Sequence, residues 1–223
     1  MSKGKVVIFS APSGSGKSTL VHFLMDRDSS FGFSVSATSR PPRGEEKHGV
    51  DYFFFTPEEF RARIAADEFV EDEEVYPGCD YGTLKSQVER QLEQQNILFD
   101  VDVKGGCRLK KYYGERALFI FVQAPSIAAL RERLVRRGDT APEEIEKRVS
   151  KAEYEMTFAQ FADRVIVNDD LDTAKAELVE VVNKFLETKN IELTYQVQRN
   201  LIAEYKEDMI KYADNADKVR IRE

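Results

Sequence analysis

The sequence predicts a three-layer α/β fold, in which helices cover both faces of a parallel sheet. An apolar run, Val6–Phe9, is followed by a glycine-rich turn and by a helical pattern that begins near Leu20. Further apolar runs at 97–99, 117–122 and 165–167 alternate with helical patterns along the chain. Continuous apolar runs are typical of parallel strands, which are buried on both faces, and their alternation with helices is typical of a parallel sheet.

The composition supports one such domain with insertions. The chain has 223 residues, of which 42% are hydrophobic, so a sizeable core can form. No apolar run is long enough to span a membrane, and the first strand follows Met1–Gly4 so closely that we expect no signal peptide. Cys79 and Cys107 lack the spacing of a metal site, and we expect reduced thiols in a cytoplasmic protein. The net charge of −7 argues against a nucleic-acid partner.

The glycine-rich turn between the first strand and the first helix predicts a phosphate-binding loop. Gly14 and Gly16 allow backbone N–H groups to converge on phosphate oxygens, and the N-terminus of the following helix adds partial positive charge. In this pattern Lys17 reaches the β- and γ-phosphates and the Ser18 hydroxyl holds Mg²⁺. The strand–turn–helix context favours this interpretation over an ordinary Gly/Ser turn. The residues predicted to contact ATP here are Ala11, Pro12, Ser13, Gly14, Ser15, Gly16, Lys17, Ser18 and Thr19.

Residues 36–84 predict a small, sheet-rich insertion into this core. Strands are predicted at 33–37, 51–55 and 69–75. Thr56, Pro57 and Glu59 have the pattern of a capping box with proline in the first helical turn, and this pattern predicts the start of a helix. A turn is predicted at 76–82, where proline, glycine and aspartate occur close together.

The α/β pattern resumes after the insertion. The sequence predicts a helix at 85–94, a strand at 97–99 that leads into Asp100–Asp102, a break at Gly105–Gly106 followed by a short helix, and strands at 117–122 and 165–167. We expect Ser126 to cap a helix that ends near Gly138, and Pro142 to open the next helix. Asp170 is expected to cap a last core helix that ends near Leu186.

Residues 189–223 have a different pattern, with charges of both signs. Apolar side chains recur at helical spacing, which predicts an added amphipathic helix; they are Leu201, Ile202, Tyr205, Met209 and Ile210. This helix packs either on its own chain or against a second copy, so both a monomer and a homodimer remain open.

Seven motifs, in order along the chain, resemble those of guanylate kinases. They are residues 36–45, 49–54, 69–71, 81–83, 99–102, 137–138 and 167–170. The resemblance covers about residues 3–187 and implies a P-loop NTPase core with two additions. The implied parts are the core (3–35, 85–125 and 157–187), a sheet-rich GMP-binding insertion (36–84), a helical lid (126–156) and, outside the resemblance, a C-terminal helical extension (188–223).

The resemblance implies a phosphate site for GMP in the insertion. Arg40, Arg43, Tyr52 and Tyr81 match the family residues that hold this phosphate, and guanidinium and phenol groups suit a dianion. From the residues alone, a solvated basic loop explains Arg40 and Arg43 equally well. Core packing would be the ordinary explanation for the two tyrosines.

The resemblance also implies that Glu71 recognises the guanine base. A carboxylate accepts from both N1–H and the exocyclic amine of guanine, whereas adenine has no donor at N1. Ser36 and Thr83 are implied close to the base, where either hydroxyl would donate to O6. Local sequence alone would make Glu71 one exposed acid beside Asp72–Glu74. Asp100 is implied near guanine and the transferred group, where it serves the base or, through water, Mg²⁺.

The implied lid supplies arginines for the transferred phosphoryl group. The residues implied to be catalytic are Lys17, Arg40, Arg137 and Arg148. Arg133 is implied in the ATP site and Asn168 beside the adenine. Lys104 stands where the family commonly has glutamine, and it is a candidate for an added phosphate contact.

The implied activity is the Mg²⁺-dependent phosphorylation of GMP, and of dGMP, by ATP through direct in-line transfer. Two alternatives remain: a non-catalytic guanylate-kinase-like binding module, and a kinase of the same fold that acts on another phosphate acceptor. The intact phosphate loop argues against the first, and Glu71 with its flanking hydroxyls argues against the second. A P-loop hydrolase is disfavoured because no residue is marked as positioning a water molecule.

Overall fold

The computed structural model describes residues 4–76, 78–138 and 141–187. Its strands are β1 (Val6–Ser10), β2 (Phe31–Phe33), β3 (Ala37–Thr38), β4 (Phe53–Phe54), β5 (Phe69–Tyr76), β6 (Cys79–Leu84), β7 (Asn96–Asp100), β8 (Ala117–Gln123) and β9 (Arg164–Val167). Its α-helices are α1 (Lys17–Arg27), α2 (Pro57–Ala65), α3 (Lys85–Leu92), α4 (Val103–Tyr113), α5 (Ile127–Arg137), α6 (Pro142–Met156) and α7 (Leu171–Glu187). The predicted extension at 188–223 lies outside the described residues.

The central sheet is parallel, with strand order β2-β7-β1-β8-β9. Every residue of β1 is fully buried, as expected for the middle strand of a sheet covered on both faces. Val7 and Phe9 pack with residues of α1 and α7, whereas Val6 and Ile8 pack with residues of α3 and α4. The three-layer α/β fold predicted from the sequence is therefore confirmed.

The second sheet is smaller and mixed, with strand order β4-β3-β6-β5. Its core consists of Ala37, Phe60, Phe69 and Leu84, with the Phe60 and Phe69 rings stacked at 4.5 Å between centroids. Helix α2 covers this core, and its predicted capping box is present: Glu59 N–H donates to Thr56 Oγ1, and Thr56 N–H donates to the Glu59 side chain.

The pairing of β5 with β6 contains a bulge at Val70. Phe69 pairs with Leu84 and Glu71 pairs with Thr83, so two steps along β5 oppose one step along β6. Neighbouring residues of a strand point to opposite faces. Leu84 and Phe69 accordingly lie in the small core, while Thr83 and Glu71 lie together on the other face.

One strand and one turn predicted around the insertion are wrong in their bounds. The strand expected at 33–37 is divided, because β2 ends at Phe33 in the central sheet and β3 begins at Ala37 in the second sheet. The turn expected at 76–82 is short, because β6 already begins at Cys79. Strand pairing with β3 and β5 outweighs the turn preference of Asp80 and Gly82.

The helix break expected at Gly105–Gly106 is also wrong, since α4 runs through both glycines. A Cβ at position 106 would lie 2.8 Å from the Phe119 ring and 2.8 Å from Ser10 Oγ. Glycine is therefore needed here for the close approach of α4 to the sheet, and not for a turn. Asp102 caps this helix by accepting from Gly105 N–H at 2.6 Å.

The helix pair α5 and α6 has its own small core, which includes Leu130, Leu134, Ile145 and Val149. The predicted helix ends here are confirmed: Ser126 caps α5, and Gly138 closes it in the left-handed region at φ 73°. Within the described ranges, no helix is both long and apolar enough to cross a membrane.

Candidate active site

The phosphate-loop sequence lies between β1 and α1, as predicted. Gly14 and Gly16 both have φ 89°, and Gly16 forms the N-cap of α1 without a side-chain acceptor for the first-turn N–H groups. These N–H groups and the positive end of the helix dipole therefore suit an anion. A side chain at position 16 would also meet the Asn168 amide nitrogen at 2.2 Å, so only glycine fits.

The loop forms one wall of a cleft of about 770 Å³. The end of β7, α5 and α6 form the other walls. The predicted site residues that line the cleft are Ala11, Pro12, Ser13, Gly14, Gly16, Lys17, Ser18, Thr19, Asp100, Arg133, Arg137 and Arg148. Ser15 is fully buried, and Asn168 is 7% exposed and supports the loop from behind.

Lys17 forms an ion pair with Asp100 at the end of β7. Burial lowers the pKa of the Lys17 ammonium to about 8, although the negative charges of Asp102 and Glu155 act in the opposite direction. The lysine thus remains mostly charged at neutral pH. A cation in this partly dehydrated position interacts strongly with an anion that enters the cleft.

The lid arginines have different partners. Arg133 donates to the backbone oxygen of Asn168 at 2.7 Å. Arg148 donates to Glu144 at 2.9 Å, one helical turn earlier on α6. Arg131, which was not predicted to bind nucleotide, forms two hydrogen bonds to Glu146 that join α5 to α6.

Three acidic residues and a lysine in the cleft were not predicted as site residues: Asp102, Glu144, Glu155 and Lys151. Glu155 is 8% exposed, and burial raises the pKa of its carboxyl group. Lys151 Nζ lies 3.5 Å from this carboxylate. The spacing of four between Lys151 and Glu155 is the one sequence signal for this pair, but such pairs are common on solvated helices.

Arg40 lies shortly after β3 of the second sheet and is a candidate for binding a phosphate. It is 8% exposed. Its Nε donates to the Tyr81 hydroxyl at 3.1 Å, and its guanidinium carbon lies 4.8 Å from the centre of the Tyr52 ring. The structure therefore brings together three of the four residues that were predicted to hold the GMP phosphate. The fourth, Arg43, is exposed on the adjoining loop.

Glu71 and Thr83 lie opposite each other on β5 and β6, and Thr83 Oγ1 donates to Glu71 Oε1 at 2.6 Å. Burial raises the pKa of Glu71 to about 7, with a further increase from the negative charge of Asp102. Glu71 is thus not the exposed acid that its local sequence suggests. Ser36 is half-buried just before β3, and its carbonyl accepts from Phe53 N–H.

Lys104 lies close to Glu73, with 3.9 Å between Nζ and Oε1. Burial and a hydrogen bond with Asp102 raise the pKa of Glu73 to about 7. The ion pair with Glu73 places Lys104 beside the carboxyl groups of Glu73 and Asp102. The phosphate contact suggested for Lys104 stays a prediction. Asp102 lines the cleft, and a Cβ at position 105 would lie 3.2 Å from Asp102 Oδ1 and 3.3 Å from Glu71 Oε2. The Glu71 carboxylate therefore lies at the edge of the cleft, beside Asp102.

Comparisons with known proteins identify the family. A family model described as "Guanylate kinase" matches residues 3–185. The chain belongs to the guanylate kinase family.

Curated guanylate kinases are similar to the chain over most of their length. The enzyme of Bacteroides thetaiotaomicron is 66% identical over 184 residues, which are 82% of this chain and 90% of the relative. Those of Bacteroides fragilis and Porphyromonas gingivalis are 61% and 54% identical, over 82% of this chain and 91% and 98% of the relatives. The crystal structure of guanylate kinase from Anaplasma phagocytophilum superposes with a TM-score of 0.64 at 27% identity, covering 85% of this chain and 89% of that one.

Proposed function

We propose that the chain transfers the γ-phosphoryl group of ATP to GMP, and to dGMP, and yields ADP and the guanosine diphosphate. The family match and the three curated guanylate kinases support this reaction. The observation that carries the proposal is the adjacency of two sites. The phosphate-loop cleft is lined by Lys17 and Asp102. The half-buried Glu71 carboxylate lies beside that of Asp102, since a Cβ at position 105 would be 3.3 Å from Glu71 Oε2 and 3.2 Å from Asp102 Oδ1.

The proposed chemistry requires alignment and charge neutralisation more than proton transfer. A nucleoside monophosphate has a second pKa of about 6, so at neutral pH its phosphate is already mostly an anionic nucleophile. In this proposal Lys17 and the loop N–H groups hold the β- and γ-phosphates, and Arg137 and Arg148 stabilise the charge of the group in transfer.

The acceptor pocket holds GMP at both ends. Arg40, Arg43, Tyr52 and Tyr81 take the phosphate, and the ionised Glu71 accepts from N1–H and the exocyclic amine of guanine. Thr83 donates to Glu71 in the structure, and on GMP binding we expect its hydroxyl to turn towards guanine O6. Ser36 provides the second candidate donor to this oxygen.

The donor set fits Mg²⁺ as the cofactor. The Ser18 hydroxyl and the Asp100 carboxylate are hard oxygen donors in the cleft, and Mg²⁺ characteristically binds few protein oxygens together with phosphates and water. Residues 4–76, 78–138 and 141–187 contain no group of three or more His, Cys, Asp or Glu side chains placed to hold a metal ion. Bound there, Mg²⁺ would neutralise phosphate charge. Ser18 would hold it directly and Asp100, already paired with Lys17, would act through water.

The domain roles are part of the same proposal. The insertion 36–84 and the lid 126–156 close over GMP and ATP, respectively, and exclude water from the core. We also propose a cytoplasmic location, with which the two cysteines agree because neither forms a disulfide. Mass measurement of the full chain and of a chain that ends at Lys189 would decide between a monomer and a homodimer held by the C-terminal segment.

The experiment is an ADP-release assay with Mg²⁺-ATP in which GMP, AMP, UMP and CMP are offered one at a time. Turnover with GMP alone is the expected result, because only guanine gives Glu71 two adjacent donors. Turnover with another acceptor would overturn the assignment of the acceptor pocket. GMP binding without any turnover would favour the non-catalytic binding module.

A further inference from the structure

Glu46 accepts more hydrogen bonds from the Arg40 side chain than any other residue in the described part of the chain. Its Oε2 accepts from Arg40 Nη1 at 2.7 Å, and its Oε1 accepts from Arg40 Nη2 at 2.9 Å. This is a two-pronged carboxylate–guanidinium pair, which fixes the plane of the guanidinium as well as its position. The prediction from sequence assigned no role to Glu46.

Glu46 is itself held in place by the loop that carries Arg43. The backbone N–H of Arg43 donates to Glu46 Oε2 at 2.8 Å, and the backbone N–H of Glu46 donates to the Arg43 carbonyl at 3.1 Å. The hydrogen bonds from Arg40 and from Arg43 N–H lower the pKa of Glu46 to about 2. Glu46 therefore stays ionised, and its ion pair with Arg40 persists, throughout the neutral pH range.

Within the described part of the chain, the hydrogen bonds of the Arg40 guanidinium use four of its five N–H groups and leave the second N–H of Nη2 for a further acceptor. Glu46 occupies the edge between the two terminal nitrogens, and the Pro41 carbonyl accepts from Nη1 at 3.0 Å. The remaining edge consists of Nε–H and the second N–H of Nη2. Nε points to the Tyr81 hydroxyl at 3.1 Å. Because this hydroxyl accepts from Arg40, its own proton is available to an acceptor.

The faces of the guanidinium are also restricted. Its central carbon lies 4.8 Å from the centre of the Tyr52 ring and 5.6 Å from that of Phe54. Stacking of this kind holds an arginine in one orientation. A phosphate can therefore reach Arg40 best at the Nε edge, beside the Tyr81 hydroxyl.

We propose that Glu46 is a positioning residue for the phosphate of GMP. It holds Arg40 so that the Nε edge and the Tyr81 hydroxyl together form a preorganised phosphate site. The inference rests on the proposed assignment of Arg40 to the GMP phosphate. In the opposite role, the Glu46 carboxylate would occupy the position of the phosphate on Arg40, and GMP would have to displace it. The two roles predict opposite changes in GMP affinity when Glu46 is removed.

The test compares GMP with guanosine, which has the same base and no phosphate, as ligands of the full chain measured by calorimetry. The variants are Glu46→Ala and Glu46→Gln. The matched control is Glu45→Gln, which also removes one negative charge but at the neighbouring exposed position. We expect Glu46→Ala to weaken GMP binding about tenfold, the scale of a hydrogen bond to a charged group. Glu46→Gln should fall between the wild-type chain and Glu46→Ala, since its amide retains one acceptor.

Guanosine affinity should be unchanged in both Glu46 variants, and Glu45→Gln should leave both ligands unaffected. Steady-state assays should show a raised KM for GMP with kcat and the KM for ATP nearly constant. Tighter GMP binding in Glu46→Ala would show that Glu46 competes with the phosphate, and equal losses for GMP and guanosine would show a purely structural role; either result overturns the proposal. The dissociation constants need no turnover, so absence of GMP turnover in the wild-type chain would contradict the proposed function separately.

Discussion

The side-chain amide of Asn168 donates a hydrogen bond to the backbone carbonyl of Ser15 at 2.8 Å, 153 residues away in sequence. Asn168 follows β9, and Ser15 lies in the phosphate loop. The backbone carbonyl of Asn168 in turn accepts from Arg133 on α5. Asn168 therefore joins the phosphate-loop sequence to α5, the helix that carries Arg133 and Arg137.

Replacing Asn168 with alanine should weaken ATP binding more than GMP binding. The buried Ser15 carbonyl would lose its donor, at a cost of about 1–3 kcal/mol, and the loop would lose a support directly behind Gly16. We expect the KM for ATP to rise about tenfold, the equivalent of roughly 1.4 kcal/mol. Steady-state kinetics with each substrate varied in turn would measure this. Asn168→Asp should be at least as harmful, since a carboxylate cannot donate to the carbonyl, and equal effects on both substrates would contradict the idea.

Replacing Lys17 with methionine should lower turnover by at least about 10²- to 10³-fold while the chain stays folded. Methionine has a similar length but no charge, so the phosphates lose the cation that the fold holds beside Asp100. Loss of one such electrostatic contact lowers kcat by about 10² to 10³. Circular dichroism and thermal unfolding would check the fold. Lys147→Met, at an exposed position of α6, is the control and should keep full activity. A Lys17→Met variant with appreciable turnover would remove Lys17 from the mechanism.

GMP affinity should increase as the pH rises through about 7. The pKa of Glu71 is raised to about 7 in the folded chain, and only the ionised carboxylate accepts from both guanine donors. Below that pH the bound proton must first leave, which weakens binding by up to about tenfold per pH unit. In Glu71→Gln this step should disappear, and only the shallower titration of the GMP phosphate near pH ~6 should remain. A wild-type profile identical to that of Glu71→Gln would contradict the role of Glu71.

The Glu71 carboxyl group also makes folding stability depend on pH, but stability should decrease as the pH rises whereas GMP affinity increases. An ordinary glutamate has a pKa of 4.5, so between pH 4.5 and about 7 the folded chain binds more protons at Glu71 than the unfolded chain does. The contribution of Glu71 to the free energy of unfolding therefore decreases as the pH rises through this window. Urea titrations at a series of pH values, for the wild type and Glu71→Gln, should show a steeper decline for the wild type.

Replacing Gly106 with alanine should destabilise the fold although it lies within a helix. In an unobstructed helix the change would stabilise by up to about 1 kcal/mol. Here the new methyl group would lie 2.8 Å from both the Phe119 ring and Ser10 Oγ, and overpacking of this kind costs about 1–3 kcal/mol. A lower denaturation midpoint in urea is the expected result. An increased midpoint would show that α4 does not approach the sheet so closely.

The sequence predicted the elements whose signals are local. The phosphate loop depends on nine consecutive residues, and the caps at Thr56, Ser126 and Asp170 depend on three or four. The prediction of a break at Gly105–Gly106 was wrong because the reason for glycine here is not local. Glycine was interpreted from its backbone preference, whereas a side chain from a distant strand, Phe119, is what requires it.

The environment of the candidate site residues was beyond local prediction. Nothing near Glu71 in sequence shows that it is half-buried with a raised pKa, because Thr83 and Asp102 act on it from other elements. Similarly, Glu46 belongs to a charged, exposed loop by its sequence, and only its distances to Arg40 give it a role. These relations depend on strand register and loop closure, which no short motif encodes.

The bulge at Val70 has an evolutionary consequence. In a regular strand Phe69 and Glu71 would share one face, and a chain that kept Phe69 in the small core would bury Glu71 there too. The extra residue turns Glu71 towards Thr83. A one-residue deletion in β5 would therefore withdraw the carboxylate proposed to recognise guanine, although residue 71 itself would not be replaced. Insertions and deletions in this strand, as well as substitutions, are thus a route by which the proposed base specificity would be lost.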